Sequence, residues 1–324
     1  MGKEELGRCE GKSRILIVGG TGYMGRRFVR ASLRLGHPTY VLFRPFAGLD
    51  IEKLQMLFSF RNSGAHLVKA SFDDKESLVA AVKQVDVVIS AMAGNHIRSH
   101  AIPEQLKLVE AIKEAGNIKR FLPSEFGIDP DKMMDAIEPG NVTFIDKREV
   151  RRAIEEAGIP YTYVSANCFA GYFVGGLAQL GRLTPPTDRV FLYDDGNVKA
   201  IWVDEDDVAT YTINSAVDPR TANKTVYIRP PANILSQREV IELWEKKCGN
   251  VLEKICMSRE EFLNLMKGQD LAQQIGMTHF YHMFYDGCLY NFEIGEEARE
   301  ASELYPHVTY TTVDAYLDHY LTIA

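Results

Sequence analysis

Seven residues, Gly19-Gly20-Thr21-Gly22-Tyr23-Met24-Gly25, fit G-x-G-x-x-G from Gly20 and G-x-x-G-x-x-G from Gly19. They stand between a short apolar run and a helical pattern. Residues without a Cβ let the chain turn tightly and let its backbone approach a pyrophosphate, while a helix N-terminus offers amide donors to the anion. All seven are therefore expected at a dinucleotide; an ordinary glycine turn is the alternative. Near the end of the second predicted strand, where NAD enzymes usually carry an acid for the ribose hydroxyls, stands Arg44. A guanidinium can make charge-assisted bonds to a 2′-phosphate worth about 1.5–3 kcal/mol, so NADPH is the expected cofactor. Lys53 is either a second cation for that phosphate or a solvated helix lysine.

The catalytic candidates are fewer. Extended short-chain reductases commonly use Tyr-x-x-x-Lys, with the tyrosine as proton donor. At the corresponding place this chain reads Thr143-Phe144-Ile145-Asp146-Lys147, so the lysine stands without its tyrosine. Carbonyl reduction by that mechanism is not expected, and Lys147 is left to act alone. Arg151, four residues on, shares its helix face, where like charges repel by a few tenths of a kcal/mol. Arg151 either contacts the cofactor and lowers the pKa of Lys147, or the run Lys147 to Arg152 is a solvated basic face. Ser124 follows the fifth strand, at the sheet edge where open α/β folds place ligands; it lines the cofactor or bonds its own backbone. His279 and His282 have a spacing that a metal can use on a helix, but no further ligands accompany them, and no metal is expected.

Elements that would hold these residues are legible in the periodicity. β-rich apolar runs at 15–18, 39–43, 66–69, 85–91, 120–122 and 161–164 alternate with helical patterns at 26–35, 51–62, 75–83, 104–115 and 144–157. That alternation predicts an α/β fold, a doubly wound Rossmann sheet of parallel strands. Domain bounds follow: a polar tail over 1–12, an NADPH-binding domain over 13–166, and a smaller α+β substrate domain over 167–324, with later segments able to return to the Rossmann sheet. A glycine-rich aromatic stretch from Phe169 to Gly181 opens the second part, and Phe169 is assigned to the substrate. The loop after the fourth strand, with Asn95, His96, Ile97 and Arg98, is expected to overhang the nicotinamide and touch the substrate. Ser236 to Glu239 and Ser258 to Glu261 have capping-box spacing before helical patterns.

Composition excludes several other classes. With 324 residues, 46% of them hydrophobic, the chain can bury a full core, and a net charge of −7 opposes non-specific attraction to nucleic acid. Five cysteines are odd in number, scattered and without C-x-x-C, as free thiols in a reducing compartment would be. No apolar run reaches the roughly 18 residues that a membrane span needs. Neither end carries a secretion, myristoylation, prenylation or peroxisomal signal, so a cytosolic protein is expected.

From Ser13 onward the sequence resembles the plant pinoresinol-lariciresinol reductases, within the group that includes isoflavone and phenylcoumaran benzylic ether reductases. The stretches that carry this are Ile15 to Tyr23, His37 to Pro45, Arg120 to Gly127 and Trp202 to Val208, with Tyr290-Asn291-Phe292-Glu293-Ile294-Gly295 pointing to the lignan branch. The resemblance implies an atypical short-chain dehydrogenase of the NmrA-like kind, a homodimer that reduces pinoresinol to lariciresinol and then secoisolariciresinol. It assigns Gly19 to Gly25, Arg44, Lys53 and Arg151 to NADPH, Lys147 to the base that removes a phenolic proton, and His279 to the lignan. In the mechanism implied, loss of that proton expels the benzylic ether oxygen and leaves a quinone methide, which takes hydride. A sister reductase for phenylcoumarans, isoflavones or other benzylic ethers is the first alternative, and a non-catalytic NADP-sensing regulator the second.

Overall fold

A computed structural model describes residues 12–44, 50–92 and 101–322. Its first half runs β1 (Ile15–Val18), α1 (Gly25–Arg34), β2 (Thr39–Phe43), α2 (Ile51–Asn62), β3 (His66–Lys69), α3 (Lys75–Val82), β4 (Val87–Ser90), α4 (Ala101–Ala115), β5 (Arg120–Leu122), α5 (Asn141–Glu156) and β6 (Thr162–Ser165). The first five strands form one parallel sheet in the order β3-β2-β1-β4-β5. Parallel strands need covering on both faces, and the side-chain period of two supplies both sets. Ile15 and Ile17 enter one core with Phe28, Val29 and Val41, while Leu16 and Val18 enter another with Val79, Val82 and Leu108.

The expected α/β doubly wound sheet is present, with ends that differ by a few residues. The fourth strand starts at Val87 rather than Val85, because the Val85 amide closes the preceding turn on Val82 O, at 3.2 Å. Helix α4 begins at Ala101 rather than Glu104. Pro103 does not stop it, since a first-turn residue needs no intrahelical N–H donor. The sixth strand departs furthest: among the described residues a single parallel bridge, Phe121 to Tyr161, ties its approach to β5.

Its full partner comes from the second half. There the chain forms β7 (Cys168–Phe169), α6 (Ala170–Phe173), β8 (Arg189–Tyr193), β9 (Lys199–Val203), α7 (Glu205–Val217), β10 (Lys224–Tyr227), β11 (Ile234–Ser236), α8 (Gln237–Cys248), β12 (Glu253–Met257), α9 (Arg259–Lys267), α10 (Leu271–Phe284), β13 (Ala298–Glu300), α11 (Ala301–Leu304) and α12 (Val313–Leu317). β10 pairs in parallel with β6 on one side and β13 on the other. Both predicted capping boxes form, at Ser236 with Glu239 and at Ser258 with Glu261. Cys168, Cys248, Cys256 and Cys288 are all free thiols.

Two glycines fix how α1 leaves the sheet. Gly19 has φ +80°, and a Cβ there would lie 2.6 Å from Ala91 O. A Cβ on Gly25 would lie 2.0 Å from Gly19 O and 2.8 Å from the Gly20 Cα, all backbone atoms that have nowhere to go. Gly25→Ala should therefore lower stability by roughly 1–3 kcal/mol or more and distort the loop. A thermal melt paired with a fluorescence titration of NADPH checks it; a melt and an affinity like those of the wild type would show that the close packing is not needed.

Candidate functional site

Because the strands run in parallel, the carboxyl ends of β1, β2, β4 and β5 lie on one edge of the sheet, the edge where ligands collect in open α/β folds. A cavity of about 1570 Å³ occupies that edge. Gly19, Thr21, Gly22, Tyr23 and Met24 line its floor. The loop is tied by Gly22 N–H donating to Gly19 O at 2.9 Å, and α1 opens with no side-chain cap and no acid in its first turn. Uncapped amides beside a glycine cradle fit the pyrophosphate of a dinucleotide. Gly20 and Gly25 do not line the cavity; they serve packing, since a Cβ on Gly20 would lie 2.7 Å from the Val41 side chain.

Arg44 and Lys53 line the cavity together, as a 2′-phosphate site would require. Sequence reasoning missed Asp50 between them. Its carboxylate accepts the Lys53 amide at 3.0 Å, capping α2, and pairs with Lys53 Nζ at 2.7 Å. The hydrogen bond to Lys53 holds the Asp50 carboxyl below the usual carboxylate range. An Asp one residue before a helical pattern was the available signal.

At the ends of β4 and β5 the wall contains Ala91, Met92, Ser124 and Glu125. Ser124 lines the cavity, and its hydroxyl donates to Met92 O at 2.7 Å, at the end of the neighbouring strand rather than on its own backbone. Helix α5 brings Lys147 to the same wall, and its ammonium donates to Glu125 O at 2.8 Å. Burial, opposed by the Glu125 carboxylate and assisted by Arg151, lowers the Lys147 pKa to about 8.

Arg151 lowers the Lys147 pKa, as one of its two readings held, but it is not brought to the cavity wall. Its guanidinium is buried away from the cavity wall, with Nε donating to Glu125 Oε1 at 2.7 Å and a second nitrogen to Oε2. Asp129 at 3.0 Å and Asp131 at 2.6 Å also pair with it, and the Tyr163 ring lies 4.2 Å beneath. Burial opposes that charge, yet the three carboxylates outweigh burial and keep the guanidinium protonated. Helical spacing places Arg151 on the face of Lys147, but the carboxylates that draw it inward lie 20 to 26 residues upstream, beyond the reach of periodicity.

The opposite wall is aromatic: Phe169, Tyr172 and Phe173 from the segment after β6, with Gly276, His279, Phe280 and Met283 on one face of α10. His279 packs on Phe144 with ring centroids 5.1 Å apart. His282 turns elsewhere, accepting the Ile137 amide at 3.1 Å and meeting Asp286 at 2.8 Å, so the two imidazoles do not share a site. Tyr23 reaches across from the glycine loop and donates its hydroxyl to buried Glu205, which also accepts the Gly171 amide at 3.0 Å. Asn95, His96, Ile97 and Arg98 lie outside the described residues.

The NmrA-like family model matches residues 11–317. The chain belongs to that family. It is 66% identical over 312 residues, 96% of this chain and 100% of the relative, to a bifunctional pinoresinol-lariciresinol reductase of Thuja plicata. An isoflavone reductase homolog of Lupinus albus is 64% identical over 96% of this chain and 100% of its own. Among solved structures, AtPrR2 with NADP+ and (+)pinoresinol superposes with a TM-score of 0.93 at 56% identity, over 95% of this chain and 99% of that one. Family membership thus agrees with the resemblance read from the sequence.

The depressed lysine also has a stability signature. Below pH 8 Lys147 is charged whether folded or unfolded, and folding bears the full cost of burying the charge. Between about 8 and 10.5 the unfolded lysine binds the extra proton, so stability rises with pH over that window. Lys147→Met should gain roughly 1–3 kcal/mol at neutral pH from this source, discounted because the ammonium borders an open cavity, and less about 1 for the hydrogen bond to Glu125 O. Its advantage should shrink from pH 8 to 10.5, measured as the difference between paired denaturant melts. A difference that does not change with pH would mean that the lysine pKa is ordinary.

Proposed function

We propose that this chain is an NADPH-dependent reductase that opens furofuran lignans, converting pinoresinol to lariciresinol and then to secoisolariciresinol. The observation that carries this reading is Lys147, an amine of lowered pKa on the wall of a cavity that has a glycine cradle on its floor and an aromatic wall opposite. The near full-length similarity to a bifunctional pinoresinol-lariciresinol reductase supports it.

The glycine loop, Arg44 and Lys53 would hold NADPH, which when bound would supply hydride to the benzylic carbon of the substrate. The residues of the chain do the rest. With a pKa of about 8, about one Lys147 in ten is neutral at pH 7, against about one in a few thousand for a free lysine. The neutral amine takes the phenolic proton. The oxygen's electron pair moves through the ring and breaks the benzylic C–O bond, leaving a quinone methide and an alkoxide that takes up a proton. Hydride at the benzylic carbon then restores the aromatic ring. Phe169, Phe173 and Phe280 offer faces on which the aryl rings stack, and His279 can hydrogen-bond a lignan oxygen. Arg151 takes no direct part, since its donors are committed to carboxylates.

A second reading, a sister reductase acting on isoflavones or other benzylic ethers, is favoured by the similarity to an isoflavone reductase homolog. Racemic pinoresinol with NADPH, followed by chiral chromatography, separates the two: lariciresinol and secoisolariciresinol support the first reading, and their absence moves the assignment to the second. A cytosolic homodimer is the proposed setting, resting on the family resemblance. Among the described residues no helix is long and apolar enough to cross a membrane.

Two variants test the site. Lys147→Ala should cut reduction by about 10²–10⁴ while leaving NADPH affinity within severalfold, and Lys147→Arg should not restore it, because guanidinium stays protonated. Near-normal single-turnover rates would remove the base assignment. Arg44→Asp should weaken NADPH by about ten- to a hundredfold and abolish or reverse its preference over NADH. Equal use of both cofactors by the unaltered protein would contradict the phosphate site.

A further inference from the structure

We propose that Glu125 is a positioning residue for Lys147: its main-chain oxygen pins the amine, and its carboxylate, clamped by Arg151, sets part of the charge the amine experiences. The proposal rests on the reading of Lys147 as the base.

Geometry comes first. Helix α5 grips Glu125 at both ends, Lys147 Nζ on the carbonyl at 2.8 Å and Arg151 one turn later on both carboxylate oxygens. A neutral amine has two N–H bonds and one lone pair. With one N–H held by Glu125 O, the lone pair is directed away from that carbonyl, and the amine borders the cavity. The loop that carries the carbonyl is itself fixed: Ser165 Oγ donates to Gly127 O at 2.8 Å, and the Tyr227 hydroxyl donates to Asp129. Without the Arg151 clamp the acceptor could drift, and with it the amine.

Charge comes second. Arg151 places donors on both Glu125 oxygens, an arrangement the ionised carboxylate meets best, while burial pushes the Glu125 carboxyl up and Arg151 opposes that rise. Lys147 therefore sits beside a buried anion, Glu125, and a buried cation, Arg151, whose effects oppose each other. Asp129 adds to the anionic side, Asp131 meets Arg151 from the exposed side, and Tyr163 and Tyr227 face the cluster from β6 and β10. Across the cavity the titratable wall residues include Tyr23 on the glycine loop and His279 on α10. A buried ion cluster is weak evidence for stability, because well-packed apolar residues can hold a fold as well. What apolar residues could not do is offset burial and so keep the amine near a pKa of 8.

Removing either partner of one ion pair must then move the amine in opposite directions, whereas a purely structural pair would fail in one direction. The test is competitive acetylation of the whole protein with acetic anhydride from neutral to strongly alkaline pH. Mass spectrometry of the peptide carrying Lys147 follows labelling, and the pH profile of kcat/KM is measured in parallel. The unaltered protein should give a midpoint near 8. Glu125→Gln should lower it, and Arg151→Gln should raise it, each by about one unit. Arg151→Lys, which keeps the cation and loses the fork, should hold the midpoint but lower kcat. Should Glu125→Gln fail to fold by near-UV circular dichroism, Asp129→Asn carries the same downward expectation, and Arg151→Lys still reports on the fork.

Shifts of one sign in all variants, or none, would overturn the proposal. Labelling reads the amine and not turnover, so the two readings fail separately. A Lys147→Ala protein with near-normal reduction removes the base and leaves the labelling midpoints standing. An inactive Lys147→Ala protein with midpoints that ignore Glu125 and Arg151 removes only the positioning role.

Discussion

Every strand from β1 to β5 points the same way, and most of the site is a consequence of that direction. Parallel strands send their outgoing loops to one edge, so residues far apart in sequence, Gly19, Arg44, Met92 and Ser124, meet around a single cavity. The direction itself depends on burial of both faces, which alternate residues of β1 supply to two separate cores. It depends equally on α1 leaving β1 without a gap, which the backbone contact between Gly25 and Gly19 enforces. A side chain at Gly25 would push the helix off the strand and with it the amides that face the cavity.

Within that edge the two halves of the cavity have different physics. One half is a set of fixed dipoles and exposed cations, the glycine loop with Arg44 and Lys53, suited to an anion that brings its own charge. The other is aromatic and low in polarity, with one amine set into it. Desolvation dominates there, and it brings Lys147 toward neutrality more than any neighbouring charge does. The Tyr23 hydroxyl on Glu205 and the Gly171 amide on the same carboxylate tie the two halves together across the gap between the glycine loop and the segment after β7.

Much of this was legible in the sequence, and what was missed has a common cause. Strand and helix periods depend on neighbours two to four residues away, so β1 to β5 and α1 to α5 were readable to within a few residues, and the glycine loop was readable because its turn is local. Lys147 was found by its place after the fifth strand. The carboxylate partners of Arg151 were not foreseen, because periodicity says which face a residue occupies and not which carboxylates arrive there. Glu125 stood next to Ser124 in the same quoted stretch and went unmarked, its role visible only once Arg151 is seen to hold both its oxygens. Strand β6 was expected in the Rossmann sheet, and its ladder partner lies about 60 residues on, at β10.

That last pairing has a consequence for synthesis on the ribosome. When the chain has emerged as far as Ser165, β6 has a single bridge on one side and bare N–H and C=O groups on the other. Its pairing waits for Lys224 to Tyr227, and the edge of β10 in turn waits for Ala298 to Glu300. An open strand edge templates association with other chains. The nascent protein therefore carries an unfinished edge from Ser165 until Ala298 to Glu300 emerge, the interval in which a chaperone that shields strand edges has the most to protect.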